Sequence, residues 1–230
     1  YAPAWIALQG MEASSEATSH ELGHNMGLSH DGTAAGGVEY HPGYAATATS
    51  PSWGPIMGAP YGRNVNQWSK GEYYDANQTQ DDLAIIAARC AYRGDDFGDS
   101  MGKASPLPMA DTVTVSGTGR VETSSDPDVF VFSTGTGTVT FAATTYKCAV
   151  GSWGSNLDIV LELQDASGAV LATTNPLTTC DASFSYAASA GVYYLIVKPA
   201  GAGTPLSSSG YTVYGSLGTY TLPGTIQPVT

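Results

Sequence analysis

The sequence predicts an α+β fold, with helices in the first 94 residues and an antiparallel β-sandwich over 108–222. Three observations predict it. Two segments of the first part carry helix signals, and the second part is a series of short alternating apolar runs. Between them, residues 95–107 (Asp95-Asp96-Phe97-Gly98-Asp99 through Ser105-Pro106-Leu107) read as a linker.

The first helix is expected from about Glu12 to Met26. Ser14, Ser15, Glu12 and Glu16 suit a helix N-terminus, and Gly27 follows as a left-handed stop. The second is expected to start near Thr79, an N-cap with Asp82 three residues on, a capping-box spacing with Asp in place of Glu. Leu83, Ile86, Ala87 and Cys90 recur at i, i+3, i+4 and i+7, which puts them on one apolar face. Arg89 and Arg93 suit the negative end, and Gly94 stops the helix. The intervening 31–78 region, rich in Gly, Pro, Tyr and Trp, has no strong period, and an irregular stretch of that length is usually functional.

In the second part, strands are expected at Val113–Val115, Val129–Phe132, Val139–Phe141, Ile159–Leu163, Val170–Ala172, Phe184–Tyr186, Val192–Val197 and Tyr211–Leu217. Turn signals such as Gly135-Thr136-Gly137, Asp165-Ala166-Ser167-Gly168 and Ala190-Gly191 separate them. No helical pattern intervenes, which points to a sandwich. Residues 223–230 are left as a tail.

Composition narrows the partners. The chain has 230 residues, with 8 Lys+Arg against 20 Asp+Glu and a net charge of −12. That argues against nucleic acid, whose phosphates are bound by clustered basic side chains. Hydrophobic residues make up 42%, enough for a packed core, and no apolar run approaches the roughly 18 residues of a membrane span. Low charge with abundant Gly and Tyr fits a turn-rich secreted protein. Tyr1-Ala2-Pro3-Ala4-Trp5 lacks the pattern of a signal peptide, so a processed or partial chain is expected.

The most informative segment is His20-Glu21-Leu22-Gly23-His24-Asn25-Met26-Gly27-Leu28-Ser29-His30-Asp31. Residues four apart share a helix face, so His20 and His24 can present two imidazoles to one metal. Gly27 allows φ > 0 and a sharp turn, which brings His30 back as a third ligand. Three nitrogens leave a fourth zinc position open, the arrangement of a catalytic rather than a structural site, and no Cys is nearby. Glu21 stands beside the metal, placed to take a proton from a water there. His41, outside this segment, reads as an exposed loop residue.

The segment resembles the metzincin clan of zinc metallopeptidases, and Asp31 after the third His resembles its reprolysin (adamalysin-like) bacterial branch. Pro55-Ile56-Met57-Gly58 looks like the clan's Met-turn, with Met57 as an apolar floor beneath the metal. The stretches from Asn66 to Tyr73 and from Asp81 to Ile86 look like the region that follows it. The resemblance implies a secreted zinc endopeptidase acting on protein or peptide substrates, with Glu21 as general base, and Asp31 orienting the turn. It also implies that residues 1–94 are the mainly helical, lower, C-terminal part of a metzincin catalytic domain. The clan places a larger subdomain before the His motif, whereas 19 residues precede His20 here. An upstream half of the same protein is therefore an expected partner, with Tyr1–Leu8 the remnant of its last strand.

The second part resembles the bacterial pre-peptidase C-terminal (PPC) domain, in Asp126-Pro127-Asp128-Val129-Phe130-Val131-Phe132, in 155–168, in Gly191–Val197 and in Gly215–Leu222. That resemblance implies a secretion, targeting or adhesion role. Asp95, Asp96 and Asp99 with Asp126 and Asp128 form a candidate structural Ca²⁺ site, the alternative being a solvated acidic loop. Cys148 and Cys180 both lie in the sandwich part, so a disulfide between them is the simplest pairing. Cys90 is left as a buried thiol or one whose partner lies elsewhere. The alternative function is a non-enzymatic extracellular binding or structural module with a residual zinc site. The intact Glu21 favours the enzyme, because a purely structural zinc has no use for a base.

Overall fold

The computed structural model describes residues 4, 6–8, 10–148 and 153–229. Of the expected strand remnant at Tyr1–Leu8, residues 4 and 6–8 are described and form no strand, and the others lie outside the described residues. Helix α1 (Met11–Met26) starts at Gly10, whose φ of 96° turns the chain in without a side-chain cap. It stops at Gly27, where φ 102° directs the amide back to the Gly23 and His24 carbonyls.

Helix α2 (Asp82–Cys90) is capped by Asp81 rather than Thr79. The Asp81 Oδ1 accepts from the Ala84 amide at 2.9 Å, while Asp82 accepts from the Ser69 amide at 3.0 Å. The helix ends at Cys90, ahead of Arg93 and Gly94, and Ala91 leaves it at φ 57°. Leu83 is buried but Cys90 is exposed, so the predicted apolar face does not reach the last turn. Arg89 Nε donates to the Met26 carbonyl at 2.9 Å, closing the end of α1 instead of its own helix.

The expectation of an α+β chain with a mainly helical first part is overturned, because the chain is mainly β. Among the described residues only α1 and α2 are α-helical, and residues 27–81 carry no helical period. They fold as turns, a short 3₁₀ segment and two three-residue parallel strands, β1 (Trp53–Pro55) and β2 (Val65–Gln67).

The remaining strands are β3 (Ser105–Pro106), β4 (Thr114–Val121), β5 (Asp128–Thr134), β6 (Gly137–Thr145), β7 (Ile159–Asp165), β8 (Val170–Thr174), β9 (Ala182–Ala188), β10 (Gly191–Pro199), β11 (Ala202–Thr204), β12 (Ser209–Tyr211) and β13 (Gly218–Thr225). Two sheets face each other, in the orders β3-β5-β10-β7-β8 and β4-β13-β6-β9, and β11 pairs with β12 at the side. All pairings in the two sheets are antiparallel except β3 with β5. Alternate residues point inward: Ile159, Leu161 and Leu163 from β7, Tyr193, Leu195 and Val197 from β10, Phe130 and Phe132 from β5, Val139 and Phe141 from β6. Burying each large aliphatic side chain contributes about 1.5–3 kcal/mol.

Two boundaries differ from expectation. Residues 95–107 are packed against the sandwich: Phe97 meets the Phe130 ring at 4.7 Å, Leu107 is buried and β3 lies on β5. The last strand is β13, not Tyr211–Leu217, so Pro223, Gly224 and Thr225 of the expected tail belong to the sheet and Ile226 is buried. Pro223 and Gly224 hid this strand in the sequence. Pro223 is tolerated because the pairing of β13 with β6 skips from Thr221↔Thr144 to Gly224↔Phe141, so the missing amide falls in the gap.

The expected Cys148–Cys180 disulfide is absent. Cys180 packs with Trp53, Val65, Tyr73 and Tyr211, whereas Cys148 is half-buried with its sulfur 3.9 Å from the Trp153 carbonyl, and all three cysteines are free thiols. Burial pushes the Cys180 thiol up to about 12, so it has little thiolate for exchange.

Beside it, Asp158 accepts from the Tyr211 hydroxyl at 2.9 Å, and its other oxygen is buried without a hydrogen-bond partner among the described residues. Burial raises this carboxyl to about 7. The unfolded chain ionises such a group near pH 4, so its contribution to stability is present in acid and is lost as pH rises from about 4 to about 7. Asp158→Asn keeps an acceptor for Tyr211 and removes the titration. Urea midpoints at about pH 5 and about pH 7.5 should therefore differ less in the variant than in the native chain. Equal differences would count against this assignment.

Candidate metal centre

The structure brings His20, His24 and His30 together, with one ligand nitrogen from each within 4.8 Å of the others. The His20 and His24 rings lie one turn apart on α1 with centroids at 4.8 Å, and the turn at Gly27 returns His30 to within 4.7 Å of His24 and 5.3 Å of His20. The Nδ1 atom of each ring is engaged on the outside of the cluster. His20 Nδ1 donates to the Ile56 carbonyl at 2.8 Å, His24 Nδ1 to the Leu28 carbonyl at 2.9 Å and His30 Nδ1 to Glu39 Oε1 at 2.9 Å.

Those acceptors require the proton on Nδ1, which leaves each neutral ring a lone pair on Nε2. The Nε2 atoms of His24 and His30 then face each other at 2.9 Å. Two facing lone pairs repel unless a cation lies between them, so the donor set fits a metal ion. Burial holds His20 below the ordinary imidazole range against the Ile56 bond, and the neighbouring His24 and His30 add to the lowering. A depressed value favours the neutral ligand.

The three rings line an open cleft of about 440 Å³ with Glu21, Ala17, Tyr40, Gly58, Ala59 and Tyr61. Glu21, next to His20 on α1, thus shares the cleft with the nitrogens. Met57 is fully buried beneath α1, and a Cβ built on Gly23 would come within 2.4 Å of its sulfur, so the helix rests directly on the methionine. Asp31 is fully buried. Its amide donates to the Met57 carbonyl at 2.8 Å and its carboxylate accepts from Gln78 at 2.6 Å, which ties the turn after His30 to the Met57 turn. Burial raises its carboxyl to about 7.

His41 is a correction. It is 4% exposed, its Nδ1 accepts from the Gly43 amide at 2.8 Å, and its ring packs on Tyr44 and Tyr73. Glu39, Tyr40 and Tyr61 were not singled out from the sequence. Glu39 meets His30 across nine residues of irregular chain, a separation no helix or strand period encodes.

A second constellation lies where 95–99 meets the sandwich. Asp95, Glu122 and Asp126 bring carboxylate oxygens within 4.8 Å of one another, as do Asp95, Asp96 and Asp128. Glu122 Oε2 and Asp128 Oδ1 are buried without a hydrogen-bond partner among the described residues. Burial raises Asp128 to about 8, and Asp96, Asp126 and Glu122 add to it. Asp99 is instead paired with Lys103 at 3.1 Å.

No family model matches the chain, and no curated protein matches it. Among solved structures, the pre-peptidase C-terminal domain of collagenase from Bacillus anthracis is similar at 15% identity. The match covers 57% of this chain and 97% of that one, with a TM-score of 0.37. Aeromonas hydrophila PliG, a periplasmic lysozyme inhibitor of g-type lysozyme, is similar at 14% identity over 54% of this chain and 96% of that one, with a TM-score of 0.34. At these scores neither likeness assigns a family or a function to this chain.

Proposed function

We propose that the chain carries the metal centre of a secreted zinc-dependent endopeptidase, with His20, His24 and His30 as ligands and Glu21 as general base. The observation that carries this reading is the convergence of three imidazoles whose Nδ1 atoms are all engaged by other acceptors, with the Nε2 atoms of His24 and His30 facing each other. A zinc ion held there supplies Lewis acidity, which polarises a peptide carbonyl and eases the deprotonation of water.

The chain's own residues do the rest. Glu21 takes the proton from the attacking water and hands it to the departing amine. Met57 and Asp31 hold the floor of the site and the turn that returns His30. Tyr40, whose ring centroid lies 4.2 Å from that of His30, walls the cleft in which a peptide would lie. The acidic constellation at Asp95, Asp96, Glu122, Asp126 and Asp128 would hold a structural Ca²⁺, because two buried carboxylate oxygens there lack partners among the described residues and hard oxygens suit that ion. The low charge and acidic balance support an extracellular location, and no described helix is long and apolar enough to cross a membrane.

Metal analysis of the purified chain, followed by casein or gelatin cleavage with and without chelator, tests the reading. About one zinc per chain and chelator-sensitive cleavage are expected, and calcium in addition if the acidic constellation is filled. Zinc without chelator-sensitive cleavage would leave a non-catalytic metal module. No zinc would reject the centre itself.

A further inference from the structure

The sandwich reaches into the support of the metal centre through a single parallel bridge at Ser155. Residues 154–156 run beside β2: the Ser155 amide donates to the Asn64 carbonyl at 2.9 Å, and the Asn66 amide donates to the Ser155 carbonyl at 2.9 Å. Val65 and Ser155 form a parallel bridge. Two side chains lock this pairing. Asn156 Nδ2 donates to the Asn66 carbonyl at 2.5 Å. Gln67 Nε2 donates to the Asn156 carbonyl at 2.7 Å, while its Oε1 accepts from the Trp53 indole at 3.0 Å. Gln67 is 1% exposed and Ser155 fully buried, so these bonds are shielded from water.

From β2 the connection to the histidines is short. The Ile56 amide donates to the Gln67 carbonyl at 2.8 Å, and the Ile56 carbonyl accepts from His20 Nδ1 at 2.8 Å. The direction of that carbonyl fixes the tautomer and plane of His20. Two three-residue strands are too short to hold it unaided, since isolated pairs of that size are unstable in water. The segment from the sandwich completes them. Around the same junction Tyr214 donates to Asp81 at 2.7 Å and accepts from the Leu83 amide at 2.8 Å, and Thr212 donates to Glu72 at 2.9 Å.

We infer that Gln67 and Asn156 are positioning residues for the first metal ligand, so that the sandwich is a structural part of the metal centre rather than a detachable appendage. This inference rests on the zinc reading above. Zinc affinity, measured on the full chain by competition with a chromophoric chelator well below the unfolding temperature, tests it. The cobalt(II) absorption spectrum is the second readout.

Gln67→Ala is expected to bind zinc about 10-fold more weakly, at the lower end for residues behind a ligand, and to shift the cobalt band. Leu163→Ala, a cavity in the sandwich core away from the junction, should lower the melting temperature and leave both metal readouts at native values. If Gln67→Ala does not fold, Asn156→Ala reads the same connection, because it removes one side-chain bond and keeps the carbonyl that Gln67 uses. Native affinity in the Gln67 and Asn156 variants, or an equal loss in Leu163→Ala, overturns the inference while the zinc reading stands. A native chain that binds no zinc overturns both.

Discussion

Glu21→Gln is expected to lower peptide hydrolysis by roughly 10²–10⁴-fold, the range for a lost general base, while zinc affinity stays within about twofold. The amide is nearly isosteric with the carboxylate but cannot take a proton from water. Glu21 lines the cleft with the three imidazoles, and it lies on α1 beside His20 and one turn from His24. A substitution that preserves volume leaves the Nδ1 bonds of His20 and His24 to the Ile56 and Leu28 carbonyls intact. Cleavage rates on casein, with zinc content measured on the same samples, check the result. Undiminished cleavage by a zinc-loaded variant would remove Glu21 from the chemistry and leave the general base to another group.

Glu39→Ala is expected to weaken zinc binding by about 10–100-fold, the cost reported for residues behind a ligand. Among the three clustered histidines, only His30 has a carboxylate as its Nδ1 acceptor; the other two use backbone carbonyls that no side-chain substitution removes. The bond is 2.9 Å long, but the Glu39 side chain is 66% exposed, so screening by water places the effect toward the smaller figure. Glu39→Gln retains an acceptor oxygen and should recover most of the affinity. An affinity for zinc in Glu39→Ala equal to that of the native chain would show that the turn at Gly27 alone places His30.

The histidine cluster was readable in the sequence because it is local. Two histidines one turn apart and a glycine that ends the helix suffice to place His30, and all three lie within eleven residues. The residues behind them were not readable. Ile56, Glu39 and Gln67 act through contacts between irregular segments, and neither a period of 3.6 nor one of 2 marks them. Most sandwich strands were readable by alternation, from Val129–Phe132 inside β5 to Val192–Val197 inside β10. β13 was missed because Pro223-Gly224 breaks the pattern where the ladder itself is interrupted. The mainly helical first part failed for a different reason. It was inferred from resemblance across 27–81, where the residues themselves offered turns and no helix.

The same alternation leaves the five-stranded sheet with two ends, and β3 forms one of them. It is two residues long and closes on Pro106, which has no amide to offer a further strand. A second molecule arriving at that border finds neither the length nor the donors to continue the ladder. The proline therefore removes from that border the donor that edge-to-edge pairing with another copy would need.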